Sequence, residues 1–233
     1  MRRRVSAARE DAQVLSVWAG EVVYEDAWRW QRVLAAARDQ DAIDDVLLTL
    51  IHDPVYTAGR HADLVRNLRG SRPDIRVVQV DRGGDLTYHG PGQLVAYPII
   101  RLAQSRGVRA YVSALEEACV RTAASFGLKA RPIQGRTGVW VDQAKLAAIG
   151  VRVRRGVTTH GLAFNVTTDL SDFDGIIPCG IVGAGVCSLE SLGVDTTLEE
   201  VRGRLVLHLS DTLDRPLKRA DLADLDLLEV IHC

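Results

Sequence analysis

The stretch Ile75-Arg76-Val77-Val78-Gln79-Val80-Asp81-Arg82-Gly83-Gly84-Asp85-Leu86-Thr87-Tyr88-His89-Gly90-Pro91-Gly92-Gln93-Leu94-Val95-Ala96-Tyr97-Pro98-Ile99-Ile100 decides how the chain is read. Two apolar, β-branched segments, 75–80 and 94–100, have the composition and length of strands. Between them, Asp81–Gln93 carries four glycines, which cost more conformational entropy than other residues and allow a backbone to lie close to a ligand. Any one Gly-Gly pair is adequately explained as a hairpin turn. The whole run, with Arg82, Thr87, Tyr88 and His89 set among its glycines, reads instead as a binding loop whose ends are held by strands.

Outward from this loop the chain alternates strand and helix patterns. A strand is expected at about 14–18. From Tyr24 to Arg38, the positions Tyr24, Ala27, Trp28, Leu34 and Ala35 follow a helical period. Val46–Ile51 is a continuous apolar run of strand length, buried on both faces. Pro54 and Gly59 are expected to stop regular structure after it, leaving His52 and Arg60 at the end of a buried strand. Gly70–Asp74 reads as a polar turn. Val108, Tyr111, Val112, Leu115, Cys119, Thr122 and Phe126 mark a helix closed by Gly127, with Cys119 on its apolar stripe.

Gly138–Val141 and Lys145–Arg154 read as a hairpin joined by Asp142-Gln143-Ala144. Strict alternation puts Lys145, Ala147, Ile149, Val151 and Val153 on one face and Arg152 and Arg154 on the other. A lysine there either snorkels to water or is a partly desolvated amine suited to general-base work. His160–Val166 reads as a strand, and Asp169–Gly185 as irregular, holding Cys179 between Pro178 and Gly180. Thr197-Leu198-Glu199-Glu200 has the form of a capping box opening a last helix.

With 233 residues, 47% hydrophobic and 25% charged, the composition is that of one globular domain with a substantial core. Residues 1–12 are expected to be a flexible N-terminus and 13–233 a single catalytic domain. A formal net charge of −1 gives no general drive toward nucleic acid or anionic membrane. The basic start lacks the apolar run of a signal peptide, and no stretch approaches the roughly 20 apolar residues of a bilayer span. The expectation is a soluble, cytoplasmic protein. Its four cysteines, at 119, 179, 187 and 233, have no zinc-site spacing and read as free thiols.

Four features converge: Arg82-Gly83-Gly84 with Thr87 and His89-Gly90-Pro91-Gly92-Gln93; Lys145 with Ala147–Val151; His160-Gly161-Leu162-Ala163-Phe164-Asn165; and Pro178-Cys179-Gly180-Ile181. With Pro54–Thr57 and Gly59-Arg60 upstream, they closely resemble the lipoyl(octanoyl) transferase family over about residues 14–210. Asp53 stands where that family has a histidine before the proline, so His52 takes no assigned role. The resemblance implies an α/β (α+β) single domain with mixed sheets flanked by helices, like the catalytic domains of biotin and lipoate protein ligases. It implies transfer of an octanoyl group from octanoyl-acyl carrier protein to a lysine of lipoyl domains, those of 2-oxoacid dehydrogenase complexes and the glycine-cleavage carrier protein. Cys179 and Lys145 are then the catalytic pair. Arg82, Gly83, Gly84, Asp85, Leu86, Thr87, Tyr88, His89, Ala148, Ile149, Gly150, His160, Gly161, Leu162 and Ala163 are expected to contact substrate. No cofactor or metal, no nucleic acid or membrane partner, and a monomer are expected.

The chemistry fits these residue types. A thiolate attacking a thioester conserves the activated acyl group, and an adjacent cation favours the thiolate before serving as base toward the incoming amine. The rivals are an ATP-dependent lipoate or biotin ligase, which needs no cysteine; a papain-like hydrolase using Cys179 with His89 or His160; zinc held by His89, His160 and Cys179; and a nucleic-acid binder using Arg152, Arg154 and Arg155. Those arginines are expected instead to meet an acidic carrier protein.

Overall fold

The computed structural model describes residues 13–69, 72–103, 107–177 and 185–225. The elements in order are β1 (Val14–Val22), α1 (Tyr24–Asp39), β2 (Asp45–His52), β3 (Val55–Ala58), α2 (Leu64–Asn67), β4 (Arg76–Gln79), β5 (Leu86–His89) and β6 (Gln93–Ile99). There follow α3 (Val108–Ala124), β7 (Arg131–Ile133), β8 (Arg136–Val141), β9 (Ala144–Arg154), β10 (Val157–Asn165), β11 (Gly185–Val186), α4 (Leu198–Leu213) and β12 (Leu217–Ala220). The large sheet runs β12-β1-β2-β6-β10-β9-β8-β7, with β11 alongside β9; a small sheet runs β4-β3-β5.

Period-2 alternation along the central strands builds a three-layer core. On β6, Leu94 and Ala96 face one side with Leu162 and Phe164 of β10, under Leu115 and Cys119 of α3 and Leu205 and Leu209 of α4. Val95, Tyr97 and Ile99 face the other side with Leu48 and Leu50, under Ala27, Trp30 and Leu34 of α1. Every residue of β2 is buried, as a central strand requires. Gly127, at φ +79°, ends α3 as expected: the Leu128 N–H reaches back to the Ala123 carbonyl at 3.1 Å. No helix among the described residues is long and apolar enough to cross a membrane.

Several expectations are corrected. β2 ends at His52 before Pro54, as expected, but a further strand intervenes before Gly59: Val55–Ala58 forms β3, the middle strand of the small sheet. The glycine-rich run is not a single loop: Leu86–His89 pairs antiparallel with β3, and the flanking strands β4 and β6 lie in different sheets. The run is therefore the crossing between sheets. β10 begins at Val157, so His160 lies inside a strand. Thr197 caps α4 by accepting from the Glu200 N–H at 3.2 Å, but the Glu200 carboxylate bonds Thr196 and Arg204 instead of returning to the cap.

The alternation expected on β9 is broken near its start. Ala147 lies opposite Val139 and Lys145 opposite Trp140, so one extra residue, Leu146, is inserted as a bulge. Ala147 and Leu146 both enter the core under α3. Lys145 does not share the Ala147 face; the bulge directs it to a cavity instead.

Candidate active site

A cavity of about 490 Å³ opens where the two sheets meet. The crossing run forms one wall, through Arg82, Gly83, Gly84, Asp85, Leu86, Thr87 and His89. Strands β9 and β10 form the opposite wall, through Lys145, Ala148, Ile149, Gly150 and Val151 and through His160, Gly161, Leu162 and Ala163. Of the residues expected at the site, these are brought together around one space. Tyr88 is not: its side chain lies in the small-sheet core and its hydroxyl bonds the Asp172 carboxylate. Cys179 lies outside the described residues. The chain reaches that segment from Ile177, whose N–H bonds the Asn67 carbonyl at 2.7 Å, and returns at Gly185–Val186, parallel to Ala144–Lys145.

The arginine of the run is pinned inward and serves the protein itself. Buried Arg82 donates through Nη2 to the Thr57 carbonyl at 2.7 Å and to its hydroxyl oxygen at 2.8 Å, and through Nη1 to the Gly83 carbonyl at 3.0 Å. This ties the crossing to β3. Gly150 makes room for the same arginine: a Cβ there would stand 2.9 Å from Arg82 Cδ and 3.2 Å from the Gly83 carbonyl oxygen. Asp85 is likewise occupied, accepting from Asn67 Nδ2 at 2.6 Å and from the Leu86 N–H at 2.7 Å.

The histidine protonation states follow from their partners. Gln93 Nε2 donates to the Tyr88 carbonyl and to Asn165 Oδ1, so Gln93 Oε1 must accept, and His89 Nδ1–H donates to it at 2.7 Å. Burial holds the His89 pKa well below the ordinary imidazole value, so its Nε2 is an unprotonated acceptor at the cavity wall. His160 Nε2–H donates to Asp81 at 2.8 Å, and Asp81 also pairs with Arg152. Burial, with Arg82 and Arg152 nearby, lowers the His160 pKa to about 3. His160 also takes φ +58° inside its strand, its N–H received by Gln31 Oε1 at 2.7 Å.

Lys145 is 5% exposed, and its Nζ lies 4.6 Å from the centroid of the Trp140 ring. The Cys187 N–H bonds the Lys145 carbonyl at 3.0 Å, and Asn165 Nδ2 bonds the Cys187 carbonyl at 2.9 Å. One hydrogen-bonded chain thus joins His89, Gln93, Asn165 and the backbone of Lys145. Burial raises the Cys119 thiol far above its usual value and pushes the Cys187 thiol up to about 11, so both are inert at neutral pH. Among the described residues, no group of three His, Cys, Asp or Glu side chains is placed to hold a metal ion.

Sequence reasoning missed Tyr24, His61, Tyr97, Val112, Gly135, Arg136 and Thr137, which complete the lining. Tyr24 and Val112 sit on helical apolar stripes and Tyr97 in an apolar strand, so their pattern spoke only of the core.

Residues 23–210 match the family described as lipoyl protein ligase A/B catalytic domain. The chain is 46% identical over 215 residues to an octanoyltransferase of Mycobacterium ulcerans, covering 87% of this chain and 89% of that protein. It is 42% identical over 243 residues to one of Streptomyces coelicolor, with 84% and 90% covered. Among solved structures, lipoate-protein ligase A bound with ATP superposes with a TM-score of 0.75 at 18% identity, covering 94% of each chain. The lipoate protein ligase of Thermoplasma acidophilum with bound lipoic acid gives 0.73 at 18% identity, covering 94% and 95%. At such identity these structures are alike in fold.

Proposed function

The chain belongs to the lipoyl protein ligase A/B catalytic domain family, and we propose that it is an octanoyltransferase, moving an octanoyl group from an acyl carrier protein to a lysine of a lipoyl domain. The observation that carries this reading is identity of 42–46% to octanoyltransferases over most of the chain. The acyl cavity with Lys145 on its wall agrees with it. The likeness to ligases extends only to the fold.

In this reading Cys179 is the nucleophile. Its thiolate attacks the donor's thioester carbonyl; the tetrahedral intermediate collapses, expelling the carrier thiolate, which takes up a proton, and leaving octanoyl on Cys179. The acceptor lysine, as free amine, then attacks this second thioester. Lys145 accepts the proton released from nitrogen as the amide forms and Cys179 departs as thiolate. The inertness of the buried Cys119 and Cys187 thiols supports Cys179, and the course of β11 beside Lys145 returns the Cys179 segment to the lysine's strand. The acyl chain lies between the crossing run and β9–β10, where Leu86, Ala148, Ile149, Leu162 and Ala163 supply apolar surface. The domain extends from residue 13 to 233 and works as a monomer, with the lipoyl domains of 2-oxoacid dehydrogenases and the glycine-cleavage carrier protein as acceptors.

Nucleotide dependence tests the class. Octanoyl transfer from carrier protein to a lipoyl domain should proceed without ATP or magnesium. A strict ATP requirement with free octanoate as substrate would make the protein a ligase.

A further inference from the structure

A set of interlocked rings forms part of the cavity lining and its backing. Tyr24 and His89 stack with centroids 5.8 Å apart at 11°. His52 sits behind them, 4.9 Å from Tyr24, 5.6 Å from His89 and 5.8 Å from Tyr97. Tyr24, His89 and Tyr97 line the cavity, and all four residues are buried. Each ring but Tyr24 is pinned by hydrogen bonds as well. His52 Nδ1 bonds the Val22 carbonyl at 2.8 Å and must be its donor; His52 Nε2 therefore accepts from the Tyr97 hydroxyl at 2.8 Å. His89 is fixed by Gln93. A wall so held cannot swing aside as a lone aromatic side chain could.

Strand register gives its depth. Leu162 lies opposite both Ala96 on β6 and Ile149 on β9, which puts Tyr97 level with Gly150. From Lys145 to that level is five residues, with one taken up by the bulge, or roughly 13 Å along the strand at the strand rise. An extended eight-carbon chain spans about 9 Å with C–C bonds of about 1.5 Å. That leaves the remainder for the thioester and attacking groups beside Lys145. Longer chains meet the rings.

We propose that the Tyr24–His52–His89–Tyr97 wall fixes the length of acyl chain the cavity takes, with Tyr97 as the residue that limits it. The inference rests on the octanoyl-transfer reading for its biological meaning. Its physical content is separate, because depth is read by binding alone. Calorimetric titration of the intact protein with free carboxylates from six to fourteen carbons should show affinity rising about 4-fold per methylene up to eight carbons and then levelling or falling. Tyr97→Leu should carry the rise on to ten or twelve carbons and lift the ten-to-eight preference in carrier-thioester transfer about 10-fold. Tyr97→Phe, which keeps the ring, should leave the length profile as it is. A wild-type profile that keeps climbing through twelve carbons would overturn the proposal without need of any variant. So would a folded Tyr97→Leu protein with an unchanged profile. Should Tyr97→Leu not fold, Tyr24→Leu opens the same wall from α1 and must shift the profile in the same direction. Normal length-dependent binding with no transfer from any thioester would refute the transferase reading and leave the wall standing.

Discussion

Lys145 faces Trp140 directly across β8–β9, its Nζ 4.6 Å from the centre of the indole ring. The contact exists because the Leu146 bulge takes Lys145 out of the alternation that carries Ala147 into the core. A buried aromatic face thus lies against the Lys145 amine at the cavity wall. Trp140→Leu keeps an apolar side chain and removes the ring. Transfer should fall roughly 2- to 30-fold, the range of a partly desolvated cation–π contact. An unchanged rate in Trp140→Leu would show that the ring does not position the lysine.

Lys145→Arg separates charge from proton transfer. Arginine keeps the cation and cannot give up its proton in a protein. Acylation by octanoyl carrier protein should persist at a reduced rate. Transfer from preformed acyl-enzyme to a lipoyl domain should drop by at least about 100-fold, since the attacking amine loses the base that takes its proton as the amide forms. Single-turnover measurement of each half-reaction decides this. Wild-type transfer by Lys145→Arg would assign the base elsewhere, with His89 and its unprotonated Nε2 the next candidate.

Much of this site was legible in the sequence, since the residues expected to contact substrate, Tyr88 excepted, surround one cavity in the structure. Glycine and histidine placed together in the crossing run, and a lysine in an apolar strand, are costly features that packing alone does not ask for. Three things could not be read. β5 is only four residues long inside a glycine-rich run, and its partner β3 lies beyond a proline, so no local period marks either. The bulge at Leu146 leaves no trace in composition, and strict alternation put Lys145 on the wrong face. Tyr88 and Thr87 look equally fit for a ligand, yet strand alternation sends Tyr88 to Asp172 and Thr87 to the cavity.

The arginines at the far end of β9 are not equivalent. Arg152 pairs with Asp81, which also holds His160, and exposed Arg155 pairs with the half-buried Asp39 at 3.1 Å. Replacing Arg152 would therefore disturb the site itself. Arg154→Glu with Arg155→Glu reverses two exposed charges away from the cavity, and Asp39, which loses Arg155, still has Arg101 nearby. If this edge meets acidic carrier proteins, KM for carrier substrate should rise several-fold in a salt-sensitive way, with turnover of a small octanoyl thioester unchanged. Equal losses with both substrates would contradict that role.

Burial lowers the pKa of His52 to about 4, and that of His160 to about 3 with Arg82 and Arg152 adding to the effect. Both lie below the unfolded value of about 6.5, so acid adds protons to the unfolded chain first. Stability should be full above pH 6.5 and fall as pH drops toward 4, by up to about 1.4 kcal/mol per pH unit for each histidine. Thermal melts between pH 7 and 5 isolate this window from the carboxylates, which lose their contribution at lower pH. The slope should lessen in His52→Gln. A melting temperature independent of pH across that window would refute neutral burial of these rings.

Steric fit makes a sharper demand at Gly161. A Cβ there would stand 2.1 Å from the Ala96 carbonyl oxygen, inside the β6–β10 ladder, whereas at Gly150 it meets a side chain first, Arg82 Cδ at 2.9 Å. Gly161→Ala should unfold or severely destabilise the protein, by more than about 3 kcal/mol. Gly150→Ala should fold and lose substrate affinity as Arg82 shifts. Denaturant midpoints and KM values for both variants check the order; a Gly161→Ala protein as stable as wild type would refute the packing described.

The central claim is a thioester on Cys179, and the most direct measurement is intact mass followed by peptide mapping after mixing the protein with octanoyl carrier protein in the absence of ATP. The expected result is one octanoyl group, mapped to Cys179, absent in Cys179→Ala and discharged on addition of a lipoyl domain. An octanoyl group mapped to Cys119, Cys187 or Cys233, or transfer that proceeds in Cys179→Ala, would contradict it.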